Sequence, residues 1–209
     1  MAGLASGAAV ALVVVLGAIL FLPEPTPAAS AAVPTDPGSA ATASPGEPSE
    51  SVTPTVRASI GEALFHVGEP APPLIVPQLG GGEIDLANLD GSPVWVNFMQ
   101  TTCPPCIDEF PLMNGFAARY AEHGLVVMAI DVREDEGIVA AFAQSLNTTF
   151  PVGLDTDGVA QDAWDAVALP VHFWVDRDGI IRAGALGGIG PEVMAEHLRT
   201  ILPGVEVTP

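Results

Sequence analysis

The only two cysteines of this 209-residue chain lie three positions apart, in the run Cys103-Pro104-Pro105-Cys106. A fold stapled by disulfides needs several spaced cysteine pairs, so this chain must instead be stabilised by burying apolar side chains. A dense apolar run, Val94–Met99, comes shortly before the cysteine pair, and a helical pattern follows it. The pair is therefore expected where a buried strand ends and a helix begins.

Apolar residues are unevenly distributed, and this divides the chain into three parts. Residues 1–22 are uncharged and mostly apolar, whereas residues 23–60 are rich in Pro, Ala and Ser. The second part cannot bury enough apolar area to offset its conformational entropy, which predicts a disordered linker. This linker would either hold the domain away from the membrane or be a disordered leader without that role. Residues 61–209 read as one folded domain, long enough to bury a core without metal or disulfide staples.

The first part is long and apolar enough to cross a bilayer. As a helix, residues 2–22 would span about 31 Å, close to the thickness of the hydrocarbon core. A cleaved signal peptide is the alternative, with Ala29-Ser30-Ala31 as a cleavage site, although no Lys or Arg precedes the apolar run. We favour a transmembrane anchor. The expected location is the cell membrane, single-pass, with an extracytoplasmic domain, or secretion if the segment is cleaved.

The charge of the chain is strongly acidic, at −19 with histidines neutral. Such a surface repels phosphate backbones, so nucleic acid is not an expected partner. The acidity itself is explained most simply as a means of staying soluble.

The domain shows eleven periodic segments. In chain order they are strands at 74–78, 83–86 and 94–99, a helix after Cys106, a strand at 125–131, a helix at 138–146, a strand at 152–154, a short helix capped by Asp157 and ending near Trp164, strands at 171–175 and 180–185, and a helix at 191–201. The first two helices have apolar faces that include Ile107 and Ile138, respectively. This order predicts an α/β fold, a mixed sheet with helices on both faces and an N-terminal β-hairpin extension.

The placement of the cysteine pair suits thiol–disulfide exchange. A helix N-terminus presents unpaired N–H groups and a partial positive charge, which favour a thiolate, so Cys103 is expected to be the attacking group. Cys106 lies one turn on, close enough to resolve a mixed disulfide. A structural disulfide and a zinc site are the alternatives, but zinc needs four ligands and the four histidines show no partner spacing.

Several runs of the domain, in this order, resemble the TlpA/ResA-like branch of membrane-anchored thiol–disulfide oxidoreductases in the thioredoxin superfamily, which has a redoxin or AhpC/TSA-like domain. The resemblance covers about residues 66–202. The matching runs are Val67-Gly68-Glu69-Pro70-Ala71-Pro72, Asp90-Gly91-Ser92-Pro93-Val94, Asn97-Phe98, the cysteine motif, Glu109-Phe110-Pro111, Leu169-Pro170, and Phe173-Trp174-Val175-Asp176 with Asp178-Gly179. A thioredoxin-like three-layer fold is what this resemblance implies.

The resemblance also implies roles for individual residues. Cys103 would be the exposed nucleophile and Cys106 the resolving thiol. Pro170 would be a cis-proline that faces the pair and shapes the substrate groove; an ordinary trans proline is the alternative. Glu109 would tune the thiol pKa values, although by spacing alone it could be a solvated helix residue.

Four positions differ from the pattern of this branch or of its relatives. Thr102 stands where Trp usually precedes the first cysteine, and Leu169 replaces a small or β-branched residue before the cis-proline. With Pro170, these two residues are expected to line the substrate groove. Asn97 stands where cytoplasmic thioredoxins carry a buried aspartate. His172 stands where Thr is frequent, and we interpret it as a packed strand histidine, with an influence on the thiolate as the alternative.

The favoured function is an extracytoplasmic reductant of protein disulfides. The resemblance implies disulfide-containing protein substrates, for example in cytochrome c maturation, and a membrane thiol donor that re-reduces the pair. No cofactor besides the redox-active Cys103–Cys106 disulfide and no metal are expected, and the domain is expected to be monomeric. The alternatives are a thiol peroxidase, although Gln100 stands where that chemistry prefers Thr, and a non-catalytic metal-handling or interaction module.

Overall fold

A computed structural model describes residues 63–209 of the chain. The predicted anchor at residues 1–22 and the predicted linker at residues 23–60 lie outside the described residues. Within the described part, no helix is long and apolar enough to span a membrane.

The described part has seven strands and four α-helices, in the order that the sequence predicts. They are β1 (Ile75–Pro77), β2 (Glu83–Asp85), β3 (Val94–Met99), α1 (Pro104–Tyr120), β4 (Val126–Val132), α2 (Glu136–Ser145), β5 (Val152–Asp155), α3 (Val159–Ala163), β6 (Val171–Val175), β7 (Ile181–Leu186) and α4 (Pro191–Ile201). Two short 3-10 helices, at Leu86–Leu89 and Ala121–His123, follow β2 and α1.

The main sheet is mixed and has the strand order β5-β4-β3-β6-β7. Strand β3 pairs in parallel with β4 and antiparallel with β6, and β6 forms an antiparallel hairpin with β7. Strands β1 and β2 form a separate antiparallel pair, which is the predicted N-terminal hairpin. It joins the main sheet through a bridge between Gln78 and Gly153.

Alternating side chains of the central strand β3 enter two apolar clusters, one on each face of the sheet. Trp95 and Met99 enter the cluster built from α1 and α4, whereas Val96 and Phe98 enter the one that includes the hairpin and α3. All six residues of β3 are buried, as expected for a strand covered on both faces. The predicted three-layer α/β fold is therefore confirmed.

The predicted apolar faces of two helices are wrong at single positions. Ile107 is 37% exposed in α1 and Ile138 is 52% exposed in α2, whereas their neighbours Cys106 and Val139 are buried. Adjacent residues of an α-helix are about 100° apart around its axis, so a shift of one residue moves a side chain off the packed face.

The predicted cap of the short helix is also wrong. The exposed Asp157 does not cap α3; instead Asp155, at the end of β5, accepts hydrogen bonds from the N–H groups of Ala160 (3.1 Å) and Gln161 (2.8 Å). Gly158 adopts a left-handed conformation, with φ of 74°, which turns the chain so that the carboxylate reaches the helix start.

Candidate active site

The cysteine pair lies at the carboxyl end of β3, where α1 begins. Cys103 is the N-cap residue of α1, and Pro104 and Pro105 occupy its first two positions, where a missing N–H costs no helical hydrogen bond. Cys103 and Cys106 are joined by a disulfide, with their Cα atoms 5.3 Å apart. This is the strand-to-helix placement that the sequence predicts.

The two cysteines differ in accessibility. Cys106 is 1% exposed and belongs to the apolar cluster beneath α1, whereas Cys103 is half-buried at its edge. A partner disulfide can therefore approach Cys103 but not Cys106. The N-terminal end of the α1 dipole favours a thiolate at Cys103.

The loop before β6 reaches the same edge of the sheet. The Leu169–Pro170 peptide bond is cis, as predicted. Because Phe98 pairs with Val171, Pro170 lies next to the end of β3 from which the cysteine loop departs. Leu169 is half-buried, whereas Thr102, just before Cys103, is exposed. These positions suit a substrate groove, and the role of the three predicted groove residues stays a prediction.

The β7–α4 loop closes another side of the site. Gly187 donates its N–H to the carbonyl of Pro170 at 2.8 Å. A Cβ at Gly188 would come within 2.9 Å of the Pro105 side chain, so the absence of a side chain allows this close approach.

Glu109 lies one turn after Cys106 on α1 and is 3% exposed. Its Oε1 accepts a hydrogen bond from the N–H of Ile189, in the β7–α4 loop. Its Oε2 lies 3.2 Å from Nε2 of His172, on β6. Glu109 is therefore a buried carboxylate on the same helix face as Cys106, and not a solvated helix residue.

His172 is completely buried between the sheet and α1. It lies opposite Asn97 on the neighbouring strand, and its Nδ1 is 3.1 Å from Nδ2 of Asn97 and 3.3 Å from Nε1 of Trp95. The interpretation of His172 as a packed strand histidine is confirmed. The sequence did not indicate that its other ring nitrogen faces Glu109.

A second carboxylate holds the loop just before the cysteines. Oε2 of Glu134 accepts from the backbone N–H of Thr101 at 2.6 Å, and Oε1 accepts from the Thr101 hydroxyl at 2.8 Å. Burial pushes the pKa of Glu134 upward, but the hydrogen bonds from the Thr101 N–H, from Asp131 and from the Thr101 hydroxyl outweigh it and lower the pKa. Gln100 adds a hydrogen bond to the carbonyl of Val132 at 3.0 Å.

Asp131 lies next to Glu134, near the end of β4, and is 1% exposed. Burial raises its pKa to about 8, helped by a hydrogen bond to Glu134 and by repulsion from that carboxylate. Asp131 is therefore protonated near neutral pH while the neighbouring Glu134 is ionised, so the two acids together carry one negative charge.

Sequence reasoning missed His172 as a neighbour of Glu109, and it missed the pair of Asp131 and Glu134 next to Thr101. A signal for this pair was present, because parallel strands β3 and β4 end at the same sheet edge and both carboxylates lie at or just after the end of β4. The contact of Ile189 with Glu109 carried no such signal.

No group of three His, Cys, Asp or Glu side chains within residues 63–209 could hold a metal ion. The groups gathered here are instead two cysteines of unequal exposure, a buried carboxylate behind the inner one and an apolar rim. Such an arrangement can form and break disulfides through a mixed disulfide.

Comparison with known proteins agrees with this geometry. The sequence profile described as the AhpC/TSA family matches residues 67–184, more than half of the chain. The thiol-disulfide oxidoreductase ResA of Bacillus thuringiensis is 32% identical over 142 residues, which cover 68% of this chain and 82% of that protein. This chain is a ResA-like member of the AhpC/TSA family and the thioredoxin superfamily.

One further ResA relative and a solved structure extend the comparison. ResA of Bacillus subtilis is 31% identical over 144 residues, which cover 69% of this chain and 80% of that protein. The crystal structure of a putative thiol:disulfide interchange protein DsbE from Chlorobium tepidum superposes with a TM-score of 0.62 at 25% identity, over 65% of this chain and 97% of that one. The ResA-like chain is accordingly a protein-disulfide oxidoreductase.

Proposed function

We propose that this ResA-like chain is an extracytoplasmic reductant of protein disulfides that works through Cys103 and Cys106. The observation that carries the proposal is the unequal exposure of the pair, with a half-buried Cys103 at the N-cap of α1 and a buried Cys106 above Glu109. The outer sulfur is placed to meet a substrate, and the inner sulfur is placed to release it.

The proposed reaction has two exchanges. The Cys103 thiolate attacks one sulfur of the substrate disulfide, which forms a mixed disulfide and expels the other substrate sulfur as a thiolate. Cys106 then loses its proton and attacks the Cys103 sulfur, which releases the second substrate thiolate and leaves the Cys103–Cys106 disulfide. The substrate gains two electrons and takes its protons from water, and the enzyme loses two electrons.

Glu109 is the proposed acceptor of the Cys106 proton. It is buried on the same face of α1, one turn from Cys106. Pro170, Leu169 and Thr102 are the proposed walls of the groove that binds the substrate backbone around Cys103.

The cellular role is proposed on the resemblance and on the apolar N-terminal segment. Residues 1–22 would hold the domain outside the cytoplasm, where a membrane thiol donor would re-reduce the pair. Substrates would include the haem-binding cysteines of apocytochrome c. Protease treatment of intact cells that express the full chain tests the topology, because an extracytoplasmic domain is digested without lysis and a cytoplasmic one is protected.

The two cysteines are expected to respond differently to substitution in a dithiol-driven assay of protein-disulfide reduction. Cys103→Ser should lower the rate by about a hundredfold or more, because the attacking nucleophile is lost. Cys106→Ser should still attack, but it should accumulate a covalent adduct with the substrate. Full activity of Cys103→Ser would refute the proposed function.

The direction of electron flow can be measured by alkylating the pair across a graded series of thiol/disulfide buffers. A midpoint near that of thioredoxin, about −270 mV, supports a reductant, whereas one near about −120 mV indicates an oxidant.

A further inference from the structure

We propose that His172 is a positioning residue for disulfide exchange, whose Nε2–H holds the Glu109 carboxylate ready to accept the proton of Cys106. This inference rests on the proposed function and adds to it a residue for which the resemblance predicts no role. The histidine would act as a hydrogen-bond donor and not as a proton carrier.

The neighbours of His172 determine its tautomer. The Trp95 indole can only donate a hydrogen bond, and its Nε1 points at Nδ1 of His172 from 3.3 Å. Nδ1 must therefore carry the lone pair. The neutral ring then has its proton on Nε2, the nitrogen that lies 3.2 Å from Oε2 of Glu109.

Asn97 supports the same tautomer. Its Nδ2 lies 3.1 Å from Nδ1 of His172, so the amide can donate a second hydrogen bond when Nδ1 is bare. The ring also packs against Trp95 and Trp174, with centroids 5.9 Å and 5.7 Å away, so it cannot turn to exchange its nitrogens without repacking the core.

Glu109 carries its carboxylate into the protein interior. A buried carboxylate must be compensated by hydrogen bonds or by a cation. The chain contains no lysine, and among the described residues no arginine forms an ion pair with Glu109. The Ile189 N–H donates to Oε1, and the His172 ring lies next to Oε2. Oε2 and Nε2 are buried 3.2 Å apart, and neither makes a hydrogen bond to any other group in the described part of the chain, so the proposal pairs them with each other.

The orientation of Glu109 matters for the proton transfer from Cys106. In the resolving exchange, the Cys106 proton moves to a lone pair of the Glu109 carboxylate, and the resulting thiolate attacks Cys103. With one donor at each carboxylate oxygen, Glu109 would keep its orientation toward the helix turn of Cys106. Without the His172 donor, Oε2 would be buried and unpaired, and the carboxylate could turn away from Cys106.

The test separates attack from resolution. Reduced protein is mixed with 5,5′-dithiobis(2-nitrobenzoate) in a stopped-flow instrument. The first thionitrobenzoate is released when Cys103 attacks, and the second when Cys106 displaces the mixed disulfide. Two variants form a matched pair: the amide nitrogen of His172→Gln reaches the position of Nε2, whereas that of His172→Asn reaches only the position of Nδ1. Neither amide titrates.

His172→Asn should slow the second phase by about tenfold to a hundredfold, the effect of losing one hydrogen bond to a charged group, and leave the first phase within about twofold of the wild type. His172→Gln should restore the second phase to within about threefold of the wild type. In a Glu109→Gln background, which slows the second phase by itself, His172→Asn should add little, because both changes act on the same carboxylate.

The contrary outcomes are distinct. A normal second phase in His172→Asn, an effect that adds fully to that of Glu109→Gln, or a failure of His172→Gln to rescue would overturn the role of His172 as a donor. A normal second phase in Glu109→Gln would instead exclude Glu109 as the acceptor of the Cys106 proton. The proposed exchange through Cys103 would still stand if, among these variants, only Cys103→Ser lost both phases.

A measurement on the unaltered protein covers the case in which a variant does not fold. The ¹⁵N and ¹H NMR spectra of histidine-labelled protein are expected to show His172 protonated at Nε2 and bare at Nδ1. An Nδ1–H tautomer would overturn the proposal, because Nε2 could then not donate to Glu109.

Discussion

At the scale of single residues, Asp131 shows what burial does to a carboxyl group at this site. It ionises near its ordinary pKa of 3.8 in the unfolded chain, whereas burial and the neighbouring Glu134 raise the pKa to about 8 in the folded protein. Between these values the folded state binds the additional proton, so this group makes stability fall as pH rises from about 4 to 8. Above about pH 8 Asp131 is ionised in both states, and the loss of stability caused by its burial is complete.

Asp131→Asn should remove this loss of stability at high pH. The amide has the same shape and stays uncharged at every pH, so the variant should match the wild type near about pH 4 and exceed its free energy of unfolding by about 2 to 5 kcal/mol above pH 8. Urea unfolding across this pH range measures the difference. Asp157→Asn, at an exposed position, is the control, and parallel pH curves for wild type and Asp131→Asn would contradict the prediction.

At the scale of elements, the hairpin of β1 and β2 depends on a glycine of the main sheet. A Cβ at Gly153 of β5 would lie 2.6 Å from Cγ2 of Val76 and 2.9 Å from Cδ1 of Ile130. The absence of a side chain there allows the hairpin to pack closely on the sheet.

Gly153→Ala is expected to lower the free energy of unfolding by about 1 to 3 kcal/mol, because both buried neighbours must move. Gly115→Ala in α1 is the matched control, since its Cβ would meet no atom within 4 Å. It should raise stability by about 0.5 to 1 kcal/mol through better helix propensity. Thermal or urea unfolding measures both; equal effects of the two substitutions would contradict the proposed packing.

At the scale of the whole molecule, the net charge of −19 should select among small disulfides by their charge. The second-order rate constant with cystamine, a cation, should fall as ionic strength rises from about 0.01 M to 0.15 M, because the Debye length shortens from about 30 Å to 8 Å. The constant with oxidised glutathione, an anion, should rise over the same range.

Uncharged bis(2-hydroxyethyl) disulfide is the control for this measurement and should show little dependence on salt. If the rate constants with cystamine and with oxidised glutathione change in the same direction with salt, the electrostatic field of the protein does not influence the approach of disulfides to Cys103. Stopped-flow oxidation of the reduced pair supplies all three rate constants.

Much of the fold and part of the site could be predicted from the sequence because they depend on local pattern. The alternation of β3, the spacing along α1 and the turn residues between β6 and β7 set the element order. The positions of Cys103 and Cys106 at a strand-to-helix junction follow from the same pattern. The faces of short helices could not be fixed in this way, as Ile107 and Ile138 demonstrate, because one residue of rotation separates a packed side chain from an exposed one.

The sequence by itself determined which residues share an element, where the cysteine pair stands and which family the chain resembles. Only the tertiary structure decided that His172 meets Glu109 and that Glu134 holds Thr101. These contacts join residues 63 and 33 positions apart through the register of β3, β4 and β6 and the packing of α1 on the sheet. Periodicity reports the face on which a residue lies, but the residue that it meets across that face depends on how whole elements pack.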